Sequence, residues 1–127
     1  MAETPDVYKI ESFHVTSGTQ TIPTATLRMR DPKGKVTQDA ATGDGPIDAI
    51  CRTMDRITGT SGRLCDYKIR AVTSGKDALG EVTVEVEFNG VRIRARAVST
   101  DVLEASAKAY LNAINRYLVK NRKQKSK

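Results

Sequence analysis

The first clear pattern lies between Ile22 and Arg30, where Ala25, Leu27 and Met29 alternate with Thr26, Arg28 and Arg30. A period of two puts the apolar set on one face and the polar set on the other, the signature of a half-buried antiparallel strand. Val7–Val15 carries a less regular version, with Tyr8, Ile10, Phe13 and Val15 shifting phase before Thr16-Ser17-Gly18-Thr19, which reads as a turn. Asp31-Pro32-Lys33-Gly34 predicts a hairpin connection, and Lys35–Ala41 a strand that pairs back. At residue 46 the period changes. Ile47, Ile50, Cys51, Met54 and Ile57 recur at three- and four-residue spacing, which predicts an amphipathic helix over 46–58 ended by Gly59.

The second half repeats this order. Leu64–Val72 predicts a strand with Cys65, Tyr67, Ile69 and Ala71 on one face and Leu64 leading in, and Thr73–Gly80 reads as a loop. Val82, Val84, Val86 and Phe88 alternate with Thr83, Glu85 and Glu87; Asn89-Gly90 is a tight hairpin signal, and Val91, Ile93, Ala95 and Ala97 alternate with Arg92, Arg94 and Arg96. A helix over 101–118 closes the unit, with Ser99, Thr100 or Asp101 as its N-cap and Val102, Ala105, Ala109, Leu111, Ala113, Ile114 and Leu118 toward its packing side. Strand, strand, strand, helix therefore occurs twice, about 7–59 and 63–119, and predicts an α+β fold of two βββα units related by internal pseudo-symmetry, each antiparallel sheet covered by a helix.

At 127 residues the chain is one domain by size. No apolar run reaches the length of a membrane span, and the N-terminal stretch lacks the charged and apolar regions of a signal peptide, so a soluble protein is expected. Cys51 and Cys65 show neither CxxC spacing nor a histidine partner and read as small hydrophobes of a reducing compartment, which makes the cytoplasm the default. Of the formal net charge of +6, five positive charges lie within Lys120–Lys127, a stretch read as a solvated, disordered basic tail; residues 1–6 are read as a disordered N-terminal end.

Catalytic chemistry is thin. His14 stands alone, and GxSxG, HExxH and CxxC are all missing, so no catalytic or metal-ligating residue is assigned. Arg92, Arg94 and Arg96 form a basic stripe that suits either nucleic acid or cross-strand pairing with Glu85 and Glu87; without interleaved aromatics, pairing is favoured and no nucleic-acid partner is expected. The stretch that stands out is Ala41-Thr42-Gly43-Asp44-Gly45-Pro46, which runs directly into the first helix. Pro46 suits a first helical position, and backbone N–H groups at a helix start either await an anionic ligand group or simply form a capped turn.

The runs Ala41-Thr-Gly-Asp-Gly-Pro-Ile-Asp-Ala-Ile50, Asp66-Tyr67, Ser74-Gly-Lys-Asp-Ala-Leu-Gly-Glu-Val82 and Ser99-Thr-Asp-Val-Leu-Glu-Ala-Ser-Ala-Lys-Ala-Tyr-Leu-Asn-Ala-Ile-Asn-Arg116 strongly resemble the C-terminal regulatory domain of 2-isopropylmalate synthase. Phe13–Gly18 and Pro23–Thr26 also look like that domain, so the resemblance covers 7–118. It implies a non-catalytic module attached to a (β/α)8 barrel that condenses acetyl-CoA with 2-oxoisovalerate in leucine biosynthesis, with the parent's divalent metal in the barrel and no cofactor in this domain. It further implies a homodimer that binds leucine as feedback inhibitor near the subunit interface; citramalate synthase carries a similar domain that senses isoleucine. Carried onto this sequence, the effector pocket falls on Asp44, Gly45, Ile47, Asp48, Leu64, Tyr67, Ala71, Asp77, Ala78 and Val98. A carboxylate such as Asp44 or Asp77 suits the ammonium of an amino acid, helix-start amides suit its carboxylate, and Leu64, Tyr67, Ala71 and Val98 suit a branched side chain.

Overall fold

The computed structural model describes residues 7–74 and 77–125. Strands β1 (Lys9–Gly18), β2 (Thr21–Arg30) and β3 (Val36–Thr42) form one antiparallel sheet in that order, followed by helix α1 (Pro46–Thr58). Strands β4 (Gly62–Ser74), β5 (Asp77–Phe88) and β6 (Val91–Ser99) form a second, followed by α2 (Val102–Lys125). The fold is thus α+β, two βββα units.

Each central strand supplies the core. Ala25, Leu27 and Met29 of β2 are fully buried beneath Ala49, Ile50 and Met54 of α1, and Val82, Val84, Val86 and Phe88 of β5 beneath Ala105, Ala109, Tyr110, Ala113 and Ile114 of α2. Thr53, polar yet buried, shares its hydroxyl proton between the carbonyls of Ala49 (2.8 Å) and Ala25 (3.0 Å), so the α1–β2 contact leaves no orphan donor. Asn89 and Gly90 both take positive φ, 50° and 83°, as the two-residue turn between twisted strands requires.

Three segments differ from the sequence reading. Thr16-Ser17-Gly18 belongs to β1, with Thr16 opposite Thr24 and Gly18 opposite Thr21, because pairing with β2 outweighs the turn signal. The loop read over Thr73–Gly80 contracts: β4 runs to Ser74 and β5 begins at Asp77, so Ala78, Leu79 and Gly80 are strand, and only residues 75–76 lie outside the description. The basic run from Lys120 continues α2 through Lys125 instead of fraying, as Lys, Arg and Gln are good helix formers and cations favour a helix C-terminus. Residues 1–6 and 126–127 lie outside the description.

The two units are joined through the helices. The Asp55 carboxylate of α1 accepts from the Tyr110 hydroxyl of α2 (3.0 Å to each oxygen), from the Thr60 hydroxyl (2.7 Å) and from the Gly62 amide (3.2 Å). The Asn115 side chain donates to the Tyr8 carbonyl (3.1 Å) and accepts from the Tyr8 amide (3.0 Å), tying α2 to the start of the first sheet. Burial pushes the Asp55 carboxyl above its usual value against these donors. A carboxyl whose pKa is raised on folding favours the native state most below its unfolded pKa, and that contribution is lost as pH rises through the raised value. Compared with Asp55→Asn at each pH, the wild-type chain is therefore expected to lose urea resistance as pH climbs from about 4 through the range just above it; parallel midpoints for the two proteins would contradict this.

Candidate functional site

The glycine turn is fastened before it reaches α1. The Gly43 amide donates to the Pro23 carbonyl at 3.0 Å, so the chain leaves β3 still tied to β2. A β-carbon on Gly43 would overlap the backbone nitrogen and Cα of Ala49 and the Asp48 carboxylate, which is why only glycine lets the turn pass so close to the helix start. Gly45 is the N-cap in extended conformation, φ −156°, with no side chain capping the helix, and Pro46 follows in the first turn. The Ala49 amide is taken by the Gly45 carbonyl at 3.0 Å. The amides of Ile47 and Asp48 have no acceptor among the described residues, so two helix-start donors face outward.

The carboxylates flanking these donors differ. Asp48 Oδ2 accepts from the Asp44 amide at 2.9 Å and pairs with Arg52 Nε at 2.9 Å, so its charge is spent holding the turn. The Asp44 side chain is exposed and makes no hydrogen bond or ion pair among the described residues. The turn therefore presents two amides for an anionic group beside one free carboxylate for a cation.

The corresponding turn before α2 is capped by a side chain, which takes the Leu103 amide and leaves those of Val102 and Glu104 without an acceptor among the described residues. Asp101 Oδ1 accepts the Leu103 amide at 2.9 Å, the Asp101 carbonyl takes the Ala105 amide at 2.9 Å, and Ser99 accepts the Asp101 amide while donating to Glu104. Here Asp101 is the N-cap, and a side chain does what a ligand would do at the first turn.

The remaining site residues lie on the second sheet. Leu64 stands opposite Val86, Tyr67 opposite Val84 and Ala71 opposite Gly80, all on the face that carries the core. Cys65 has no partner across the pair: it is the extra residue of a bulge, so Leu64 and Tyr67, three apart, share a face, and the Cys65 thiol sits 3.4 Å from the Arg63 carbonyl instead of joining that row. The Tyr67 hydroxyl lies 2.6 Å from Ser106 Oγ, fixing the ring over the first turns of α2. Ala78 sits two pairs beyond Gly80 and so on the same face, whereas Val98, opposite Glu81, is on the opposite, charged face and 44% exposed. The Asp77 side chain lies outside the described residues. Leu64 and Ala71 are roughly 20 Å apart along β4, so the row runs most of the length of the strand as a wall.

Two residues belong with that wall although they were not singled out. Ile69 lies between Tyr67 and Ala71 on the core-facing row yet is 53% exposed, and Val102 at the start of α2 is 37% exposed. Both fall where α2 does not cover the outer edge of β4. The alternation placed Ile69 on the right face, but nothing in the sequence says which part of that face is left bare.

The arginine stripe is a paired face. Arg92 lies 2.8 Å and Arg94 3.5 Å from Glu85, Arg96 lies 3.7 Å from Glu81, and Arg63 and Arg70 hold Glu87 and Glu81 at 2.7 and 3.1 Å. Burial pushes the Cys51 thiol far above its usual pKa, so it is an inert packing group. His14 is exposed opposite Thr26. Among the described residues no three His, Cys, Asp or Glu side chains are placed to hold a metal ion, and no helix is long and apolar enough to cross a membrane.

The model of the LeuA allosteric (dimerisation) domain matches residues 1–118. Similar relatives include the 2-isopropylmalate synthases of Carboxydothermus hydrogenoformans (51% identical, covering 90% of this chain and 22% of the relative) and Ruminiclostridium cellulolyticum (50%, covering 88% and 22%). That of Pelotomaculum thermopropionicum is 47% identical, with 90% of this chain and 23% of the relative covered. The chain thus spans less than a quarter of the length of these relatives.

Proposed function

This chain belongs to the LeuA allosteric (dimerisation) domain family, and from that premise we propose that it is the effector-binding module of a 2-isopropylmalate synthase, binding leucine as a homodimer to restrain a distant barrel active site. The observation that carries the reading is the contrast between the two repeat turns. At α2 the Asp101 side chain caps the helix by accepting the Leu103 amide; at α1 no side chain caps the helix, and the Asp44 carboxylate is free beside the Ile47 and Asp48 amides. A leucine zwitterion matches this: its carboxylate takes the amides and its ammonium takes Asp44.

The branched side chain needs an apolar wall, and Leu64, Tyr67, Ala71 and Ala78 supply one, with Ile69 in the same row 53% exposed in a single copy. A second copy closes it, covering Ile69 and Val102, which a monomer would expose to water. Inhibition then follows from linkage: leucine binds more tightly to the arrangement of domains in which the barrels are less active, and that difference in affinity is the whole of the effect. The parent reaction is the condensation of acetyl-CoA with 2-oxoisovalerate, in the cytoplasm; the chain itself binds without catalysing.

Titration calorimetry with leucine and isoleucine, run beside sedimentation, tests the reading. Saturable leucine binding by a dimer is expected, weaker for isoleucine by about tenfold, the scale on which an apolar pocket discriminates a displaced methyl. Ile69→Asp is expected to shift the chain toward monomer and weaken leucine with it. Isoleucine heat without leucine heat would identify a citramalate-synthase sensor instead.

A further inference from the structure

A cavity of about 390 Å³ lies at the outer edge of β6, bounded by Thr83, Arg94, Ala95, Arg96 and Arg116, and none of the effector-site residues borders it. α2 reaches over this edge. The Arg116 guanidinium donates to the Arg94 carbonyl, and the Asn112 side chain donates to the Arg96 carbonyl at 3.0 Å. Those carbonyls point away from β5, and in an antiparallel strand a residue's N–H points the same way as its C=O, so the Arg94 and Arg96 amides open onto the same edge.

Although the stripe is paired, arginines outnumber carboxylates around the cavity. Glu85 is bound closely by Arg92 at 2.8 Å and reaches Arg94 only at 3.5 Å; Glu81 is bound by Arg70 at 3.1 Å and reaches Arg96 only at 3.7 Å. Among the described residues Arg116 has no carboxylate in ion-pair range. Three arginines thus line one concavity whose nearest carboxylates are held more closely by other arginines. Like charges brought together this way repel unless an anion joins them.

The geometry points to a second ligand site here, one that takes a phosphate or diphosphate group of a small molecule. Three arginines on a strand and a crossing helix, with outward amides between them, offer donors from several directions, which suits an oxyanion, whereas a planar carboxylate is satisfied by one fork. The volume exceeds what a lone phosphate fills and falls within the range of small-molecule sites.

The test is a proton–nitrogen NMR titration of the chain with inorganic pyrophosphate at low salt, with acetate in parallel. Saturable shifts are expected at the amides of Thr83, Arg94, Ala95 and Arg96, with affinity about tenfold lower in Arg116→Gln and in Arg96→Gln. Arg28→Gln, which removes the same charge from the other sheet, is expected to leave affinity unchanged. Shifts scattered over all basic residues, or an Arg28→Gln loss equal to that of Arg116→Gln, would reduce the effect to the field of a basic protein and overturn the site. Acetate binding as tight as pyrophosphate would overturn the ligand class.

Discussion

Gly43→Ala is expected to weaken leucine binding by about tenfold or more while the rest of the fold stays cooperative, because the added methyl has nowhere to go at the start of α1. It would overlap the Ala49 backbone nitrogen and Cα, and backbone cannot swing aside as the end of a side chain does. Relief requires the turn to lift from the helix, which breaks the Gly43–Pro23 tie and moves Asp44 away from the Ile47 and Asp48 amides together. Overpacking of this kind costs about 1–3 kcal/mol in stability. The affinity loss is added because the charged hydrogen bonds to the ligand need the amides and the carboxylate in one geometry. Gly45→Ala makes the comparison sharp: a β-carbon there meets nothing within 4 Å and φ is extended, so binding should survive. Calorimetry on the two variants decides; equal binding by both would mean the turn is not the ligand's seat.

The largest stability effect is expected at Gly62, where β4 begins under the joint between the helices. A β-carbon there would overlap the Tyr110 hydroxyl and lie 2.8 Å from the Phe88 ring, within the group of donors that holds Asp55. Gly62→Ala should cost about 3 kcal/mol, since it combines overpacking with disruption of a buried carboxylate's hydrogen bonds. Tyr110→Phe alone should cost about 1–2 kcal/mol by removing one donor. Because the first clash is with the hydroxyl that Tyr110→Phe removes, the double variant should be more stable than the sum of the single losses implies, with Phe88 preventing full recovery. Urea unfolding of the four proteins measures this; strict additivity would show that the hydroxyl and the β-carbon do not compete for space.

Much of the fold was legible because local chemistry and tertiary packing agree. Pro46 and Gly59 bracket α1 at the ends observed, and Asn89-Gly90 makes the turn its residues demand. Where the two disagree, packing wins. Thr16 and Gly18 pair with β2 despite a turn-like composition, and the Asp77–Gly80 stretch is drawn into β5 by its register with β4 and β6. The bulge at Cys65 was invisible because one unpaired residue leaves the composition of a strand unchanged while reversing its phase, so Leu64 lines up with Tyr67 rather than against it. α2 was only half legible. It packs against β5, β6 and α1, which buries Ser106, Ala107 and Tyr110 as well as the expected apolar set.

The candidate site divides along the same line. The turn at 43–48 is contiguous and its chemistry follows from its residues. The β4 wall is not contiguous, and Val98 lies on its far face because strand parity, not residue type, sets direction. The bare patch around Ile69 was beyond reach of the sequence, since exposure there depends on where α2 stops covering the sheet.

The central claim, that leucine seats its carboxylate on the first turn of α1, is tested most directly by following backbone amide resonances during a leucine titration. Ile47 and Asp48 are expected to shift downfield and saturate with leucine, Leu103 and Ala105 at the capped turn of α2 to move far less, and Gly43→Ala to abolish the response. Saturable leucine binding that leaves Ile47 and Asp48 unmoved would contradict it.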